Sequence, residues 1–252
     1  MPQPPRILAI AGSDSSGGAG IQADIKTATA LGAYAMTAIT AVTAQDTTGV
    51  HAVHLMPPEL VRAQIIACLD DIGADAIKTG MLGSAAIVEI VSETLATHAK
   101  GIPLVVDPVM VSTSGTALLD EDGVDVLKRK LIPLATLVTP NDIEVRKLVL
   151  PVPGVSFLIK GGHREDARGV VDGLIGADGS YKEFIAPRIV TNHTHGTGCT
   201  LAMAVACELG RGATLQDAVA RASAFVHEAI KTAPGFGRGH GPLNHMHGRE
   251  RG

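Results

Sequence analysis

Apolar residues along the chain follow two alternating rhythms. Short runs rich in Val, Ile, Leu and Ala at 6–11, 36–44, 75–79, 104–107, 134–139 and 155–160 predict strands. Between most of them the apolar positions recur at helical spacing, as with Leu60, Ile65 and Leu69, or Ile87, Val91 and Leu95. Strands and helices alternating in this way predict repeated βαβ units, hence an α/β three-layer sandwich around a mostly parallel central sheet. The stretch 170–190 departs from the rhythm, and its turn residues Ala177-Asp178-Gly179 predict an antiparallel hairpin at a sheet edge. No linker or low-complexity run interrupts the pattern, so residues 1–252 read as a single domain.

Two helices near the end are more specific. The segment 201–209 is apolar nearly all round, which predicts a helix buried in the middle of the molecule. The last helix opens on a Thr214-x-x-Asp217 capping box and carries Leu215, Ala218, Val219, Ala222, Val226, Ala229 and Ile230 on one face.

Composition narrows the classes. Hydrophobic residues make up 46% and aromatics only 2%, so small aliphatic side chains must build the core, as in a parallel sheet covered on both faces. Lys and Arg number 21 against 25 Asp and Glu, and the one basic run is Lys128-Arg129-Lys130, so nucleic acid is not an expected partner. The segment 1–6 lacks the features of a signal peptide and no apolar run is long enough to span a bilayer, which makes the cytoplasm the expected location. Cys68, Cys199 and Cys207 show no C-x-x-C spacing, against both a disulfide framework and a structural zinc site.

Candidate chemistry concentrates in His195-Gly196-Thr197-Gly198-Cys199-Thr200, just before the apolar helix. Its glycines let backbone N–H groups approach an oxyanion, and the helix dipole points its positive end at the same place. Cys199 sits in that field, which would favour a low-pKa thiolate able to act as nucleophile or proton acceptor. The same residues also read as a helix-entry loop around a small buried thiol. A second glycine loop, Gly12 to Gly20, follows the first strand, and Gly18-Ala19-Gly20-Ile21-Gln22-Ala23 fits the dinucleotide pattern G-x-G-x-x-A. Against a Rossmann dehydrogenase, Gly18 lies six residues past Gly12, and Asp14 and Asp24 would crowd a pyrophosphate with negative charge. No Gly-Lys-Ser/Thr follows, so a Walker A loop is also rejected.

Further polar groups fall at strand ends. Asp107 closes Leu104-Val105-Val106-Asp107-Pro108, where a carboxylate can hold Mg²⁺ or satisfy backbone donors. Asn141-x-x-Glu144 forms a helix capping box after Thr139-Pro140, whatever else it does. Lys160-Gly161-Gly162-His163 places a cation after an apolar strand, suited to a phosphate or to an ordinary glycine turn. The histidines His240, His245 and His247 read as a polar tail rather than a metal site.

In combination these segments resemble a known family. Ala11 to Asp24, Thr43-Ala44-Gln45-Asp46-Thr47, Lys78-Thr79-Gly80-Met81-Leu82, Val106 to Met110, Thr139-Pro140-Asn141, Lys160 to His163 and Asn192 to Thr200 are similar to the bacterial hydroxymethylpyrimidine/phosphomethylpyrimidine kinases of thiamine biosynthesis, members of the ribokinase-like superfamily. The resemblance implies ATP and Mg²⁺ as cofactors and a small aminopyrimidine alcohol, then its monophosphate, as substrates. It further implies that Cys199 is the base, with Gly196 and Gly198 in the anion hole. Gln45, Gly12, Asp24 and Met81 would hold the pyrimidine, Gln45 reading its amine and ring nitrogen. Asn141, Lys160, Thr191, His195 and Thr197 would hold the nucleotide, and Asp107 and Glu144 the metal. A homodimer is the expected assembly. One departure from the family pattern stands out: only nineteen positions lead from Asn141 to Lys160, with Pro151-Val152-Pro153-Gly154 taking the place of an additional helix. The rival readings are a pyridoxal or pyridoxine kinase and a non-catalytic pyrimidine-binding protein.

Overall fold

The apolar runs assemble into one nine-stranded sheet of order β3-β2-β1-β4-β5-β6-β7-β8-β9. In the computed structural model, which describes residues 3–112, 115–148, 151–162 and 166–248, the strands are β1 (Arg6–Asp14), β2 (Tyr34–Asp46), β3 (Gly49–Leu55), β4 (Ala76–Thr79), β5 (Leu104–Val106), β6 (Leu137–Val138), β7 (Ser156–Ile159), β8 (Val170–Ile175) and β9 (Tyr181–Ala186). From β2 to β7 every neighbouring pair is parallel, and β3, β8 and β9 join antiparallel at the two edges.

Successive strand residues serve opposite layers, because side chains alternate across a pleated sheet. Leu8, Ile10, Leu104, Val106, Val138 and Phe157 pack with α2 (Pro58–Asp71) and α3 (Ala85–His98). Ile7, Val105, Leu137 and Leu158 pack on the other face with α1 (Gly20–Ala30), α6 (Thr197–Gly210) and α7 (Leu215–Lys231). With both faces covered, the central strands are largely apolar, and a buried charge among them, such as Lys78 in β4, is paired. The expected three-layer architecture is present. Helix α6 is buried from Thr200 to Glu208, and Thr214 caps α7 by accepting the Asp217 N–H.

Some elements differ from the expectation. Strand β3 carries no apolar run: His51, Ala52, Val53, His54 and Leu55 are exposed, and the strand forms by antiparallel pairing with β2, which is long enough to reach past the sheet. The run at 134–139 yields only the two residues of β6, because Ile132–Leu134 closes into a 3-10 turn around Pro133. The hairpin at 170–190 is present, as β8 and β9. Two short helices precede β7: α4 (Glu121–Val126), and α5 (Asp142–Leu148), which begins directly after the strand end of β6. The Val155 N–H donates to the Val152 carbonyl in a tight turn through Gly154, so the chain enters β7 with no intervening helix among the described residues.

Candidate active site

The carboxyl ends of β1, β2, β4, β5 and β7 and the N-terminus of α6 border one cleft of about 1120 Å³. Ligands of open α/β sheets bind at this edge, where loops diverge above the strand ends.

The first glycine loop is built around Asp14, at the end of β1. Its carboxylate accepts from the Ser16 N–H (2.8 Å), the Ser16 hydroxyl (2.8 Å), the Gly18 N–H (3.2 Å) and the Ala19 N–H (2.8 Å), and His195 Nε2 lies 2.8 Å away. Burial pushes the Asp14 carboxyl up, but these donors outweigh it and hold the group below the usual carboxylate range. Asp14, counted in the sequence against a bound pyrophosphate, is what folds this loop. Its glycines are required by contact: a Cβ on Gly20, at φ +56°, would stand 2.2 Å from the Gly12 carbonyl oxygen.

The second loop locks onto the first. Gly196 caps α6 at φ +84°, and a Cβ there would come within 1.9 Å of the Gly18 carbonyl oxygen. Cys199, third residue of α6, lies partly open to the cleft, and its sulfur receives the Gly20 N–H. The expected low-pKa thiol is not found in the free protein. Burial raises Cys199 to about 11; Lys78 pulls against this, and Asp24 and Asp107 reinforce it. The helix field is outweighed by desolvation.

Two lysine–carboxylate pairs act on this thiol. Lys78 Nζ donates to both oxygens of Asp24, at 2.8 and 2.9 Å, with both side chains fully buried. Burial pushes Asp24 up to about 6, while the carboxylates around Lys78 overcome its burial and hold its ammonium above the usual range, so both are charged at neutral pH. Lys160 Nζ donates to Asp107 Oδ1 at 2.9 Å, and the Thr139 hydroxyl donates to the same oxygen at 3.0 Å. Beside them, the Asn141 and Glu144 capping box is complete: the Asn141 N–H donates to Glu144 (2.8 Å), and Asn141 Oδ1 accepts from the Ile143 and Glu144 N–H groups. Burial, reinforced by Asp107, pushes Glu144 up to about 7. Two carboxylates on the lining of one cleft suit Mg²⁺, which binds through one or two protein carboxylates plus phosphate and water oxygens. Among the described residues no group of three or more His, Cys, Asp or Glu side chains gathers to hold a metal alone.

The structure brings together on this cleft Gly12, Gln45, Met81, Asp107, Asn141, Glu144, Lys160, Thr191, His195, Gly196, Thr197, Gly198 and Cys199. Asp24 does not line it; its carboxylate is sealed against Lys78 beneath the loop. The His195 ring, expected at the nucleotide, turns instead to Asp14 and to Gln45, whose Nε2 is 3.4 Å from His195 Nε2. Of the C-terminal histidines, His240 is exposed as expected of a polar tail, but His245 is not. His245 is buried, its Nε2 lies 2.9 Å from the Thr200 hydroxyl, and burial holds its pKa down at about 4. His163 lies outside the described residues. Sequence reasoning missed Lys78 as a buried partner, although a lysine inside the apolar run Ala76-Ile77-Lys78-Thr79 was a legible signal.

A parallel sheet whose carboxyl edge carries two interlocked glycine loops, a cationic strand end and a helix N-terminus with no side-chain cap defines a small-molecule phosphotransferase, with fixed dipoles and cations arranged for a transferring phosphoryl group. The family model described as phosphomethylpyrimidine kinase matches residues 14–156 and 153–244, in two segments that meet at the short connection into β7. A hydroxymethylpyrimidine/phosphomethylpyrimidine kinase of Mycobacterium leprae is 45% identical over 97% of this chain and 97% of its own length. Among solved structures, a pyridoxal kinase of Bacillus subtilis in complex with ADP superposes with a TM-score of 0.86 at 35% identity, covering 95% of this chain and 97% of that one. A phosphomethylpyrimidine kinase of Clostridium difficile superposes with a TM-score of 0.76 at 38% identity, covering 89% and 99%. The chain belongs to the phosphomethylpyrimidine kinase family.

Proposed function

We propose that the protein transfers the γ-phosphoryl group of ATP to 4-amino-5-hydroxymethyl-2-methylpyrimidine and then to its monophosphate, as a step of thiamine biosynthesis. The observation that carries this reading is one cleft lined by Gln45, Cys199 and the Lys160–Asp107 pair together. The Gln45 amide offers a donor and an acceptor to the amine and ring nitrogen of an aminopyrimidine. The hydroxymethyl group then lies toward Cys199, which takes its proton as the P–O bond forms.

The raised pKa of the free thiol fits this sequence of events. Burial opposes the thiolate most, and Asp24 and Asp107 add to it even with Asp107 bonded to Lys160. Asp107 and Glu144 would hold Mg²⁺, and a cation there would weaken the opposition from Asp107, while Lys78, the Gly20 N–H and the α6 terminus favour the thiolate against burial and Asp24. Bound Mg²⁺ supplies charge neutralisation for the phosphates. Lys160 is placed to exchange its bond to Asp107 for a phosphate oxygen, and Gly198 and Cys199 lie in the first turn, where helix N–H groups have no intrahelical partner. Asn141, Thr191 and Thr197 also line the cleft and would complete the nucleotide side.

Among the described residues no helix is long and apolar enough to cross a membrane. We place the protein in the cytoplasm as a homodimer, whose interface would use Val42, Val53 and Leu55, exposed on the β2–β3 hairpin.

A coupled assay with each vitamin precursor tests the substrate reading. Gln45→Met is expected to lower kcat/KM for hydroxymethylpyrimidine by at least about tenfold, from the polar edge left unpaired, and to affect pyridoxal far less. Equal losses on both substrates would favour the pyridoxal kinase reading.

A further inference from the structure

Gln45 is held from two directions by one carboxylate. Its backbone is pinned to the first glycine loop: the Ser15 hydroxyl donates to the Gln45 carbonyl at 2.7 Å, and the Gln45 N–H donates to the same hydroxyl at 2.8 Å. That loop takes its shape from Asp14, which gathers the N–H groups of Ser16, Gly18 and Ala19. The Gln45 side chain is bounded by Thr43, whose hydroxyl lies 3.2 Å from Gln45 Oε1, and by the His195 ring. Asp14 determines what that ring presents. An ionised carboxylate only accepts hydrogen bonds, so the His195 Nε2 proton is directed at Asp14, 2.8 Å away. The Gln45 amide therefore faces a nitrogen whose proton is already engaged, and its Nε2 donors and the Oε1 lone pair not used by Thr43 stay available to a ligand.

His195 is in turn immobilised. A Cβ on Gly18 would stand 2.3 Å from its Cδ2, which measures how closely ring and loop pack. Its N–H donates to the Gly241 carbonyl at 3.1 Å, so the C-terminal segment holds the backbone on the far side. Gly196, the next residue, begins the turn into α6 and Cys199.

We propose that Asp14 and His195 form a positioning pair for substrate selection, fixing the Gln45 amide opposite the polar edge of an aminopyrimidine ring and holding it in register with the loop that carries Cys199. The proposal rests on the reading of Gln45 as the residue that recognises the ring. It assigns Asp14 and His195 to the alcohol substrate and takes His195 away from the nucleotide.

The test is steady-state kinetics of the full chain with hydroxymethylpyrimidine, pyridoxal and ATP varied in turn. His195→Phe keeps a ring but removes the donor to Asp14. KM for hydroxymethylpyrimidine is expected to rise about tenfold, with kcat changed less than about threefold, KM for ATP unchanged and the preference over pyridoxal reduced. His195→Gln, which can donate to Asp14 again, is expected to restore most of that preference. Ser15→Ala lies on the exposed loop and gives the same signature at about threefold even where a ring variant fails to fold. A rise in KM for ATP, or an equal fall in kcat/KM for both alcohols with preference intact, overturns the pairing and leaves the kinase reading standing. Absence of hydroxymethylpyrimidine turnover by the wild-type protein overturns that reading itself.

Discussion

Two ammonium–carboxylate pairs of nearly equal length act on Cys199, and they do different things. Lys78 meets Asp24 at 2.8 Å and Lys160 meets Asp107 at 2.9 Å. The Lys78 pair joins β4 to α1 with neither side chain exposed, both carboxylate oxygens taken by one ammonium. The Lys160 pair joins the ends of β7 and β5 at the cleft, where the lysine side chain is 16% exposed and Glu144 stands beside it. A sealed pair has no other partner to turn to, so its charges stay and act on their surroundings as a fixed field. An open pair can exchange partners, as phosphoryl transfer requires. The same bond is structural in one setting and a poised binding site in the other because of access to the cleft.

The largest expected difference between the two is in stability. Lys78→Met strands an uncompensated carboxylate in the core and should cost about 3–5 kcal/mol in urea unfolding. Lys160→Met should cost about 1.5 kcal/mol, the scale of one charge-assisted hydrogen bond, while removing most turnover. The reverse ranking would break the comparison.

Next in size is the thiol they act on. Cys199→Ala is expected to lower kcat by about 10²-fold, as for loss of a general base, and to leave pyrimidine affinity by calorimetry nearly unchanged. A near wild-type kcat would remove Cys199 from the chemistry and leave the pairs acting on an inert helix entry.

The smallest effect separates the open pair by pH. Glu144 is raised to about 7, so it is ionised at pH 8 and mostly protonated at pH 6. Since only the carboxylate attracts a cation, the Mg²⁺ concentration for half-maximal activity should rise about tenfold as pH falls across that range. Glu144→Gln should raise the requirement at pH 8 and flatten its pH dependence. A variant altered only in melting temperature would reduce Glu144 to the cap of α5.

Which of these features could be read beforehand follows from their reach along the chain. The Asn141 and Glu144 capping box, the Thr214 cap and the buried α6 were legible because each rests on residues within a few positions of one another. The two glycine loops were legible as loops, but not as one interlocked structure. Strand β3 was hidden because its side chains are exposed and its only instruction to be a strand comes from β2. Asp14 was judged by its charge toward a phosphate, when its role is set by the donors that surround it.

The sequence by itself determined the alternation of strands and helices and the ends of the capped helices, since periodicity and local hydrogen bonds are short-range physics. Tertiary structure alone decided the chemistry of the site. Lys78 and Asp24 are 54 positions apart, and His195 and Asp14 are 181 apart. The acidity of Cys199, the charge of the sealed pair and the direction of the His195 proton are sums over everything packed around them. Desolvation and Coulomb energy depend on distance in space, and the fold alone supplies that distance.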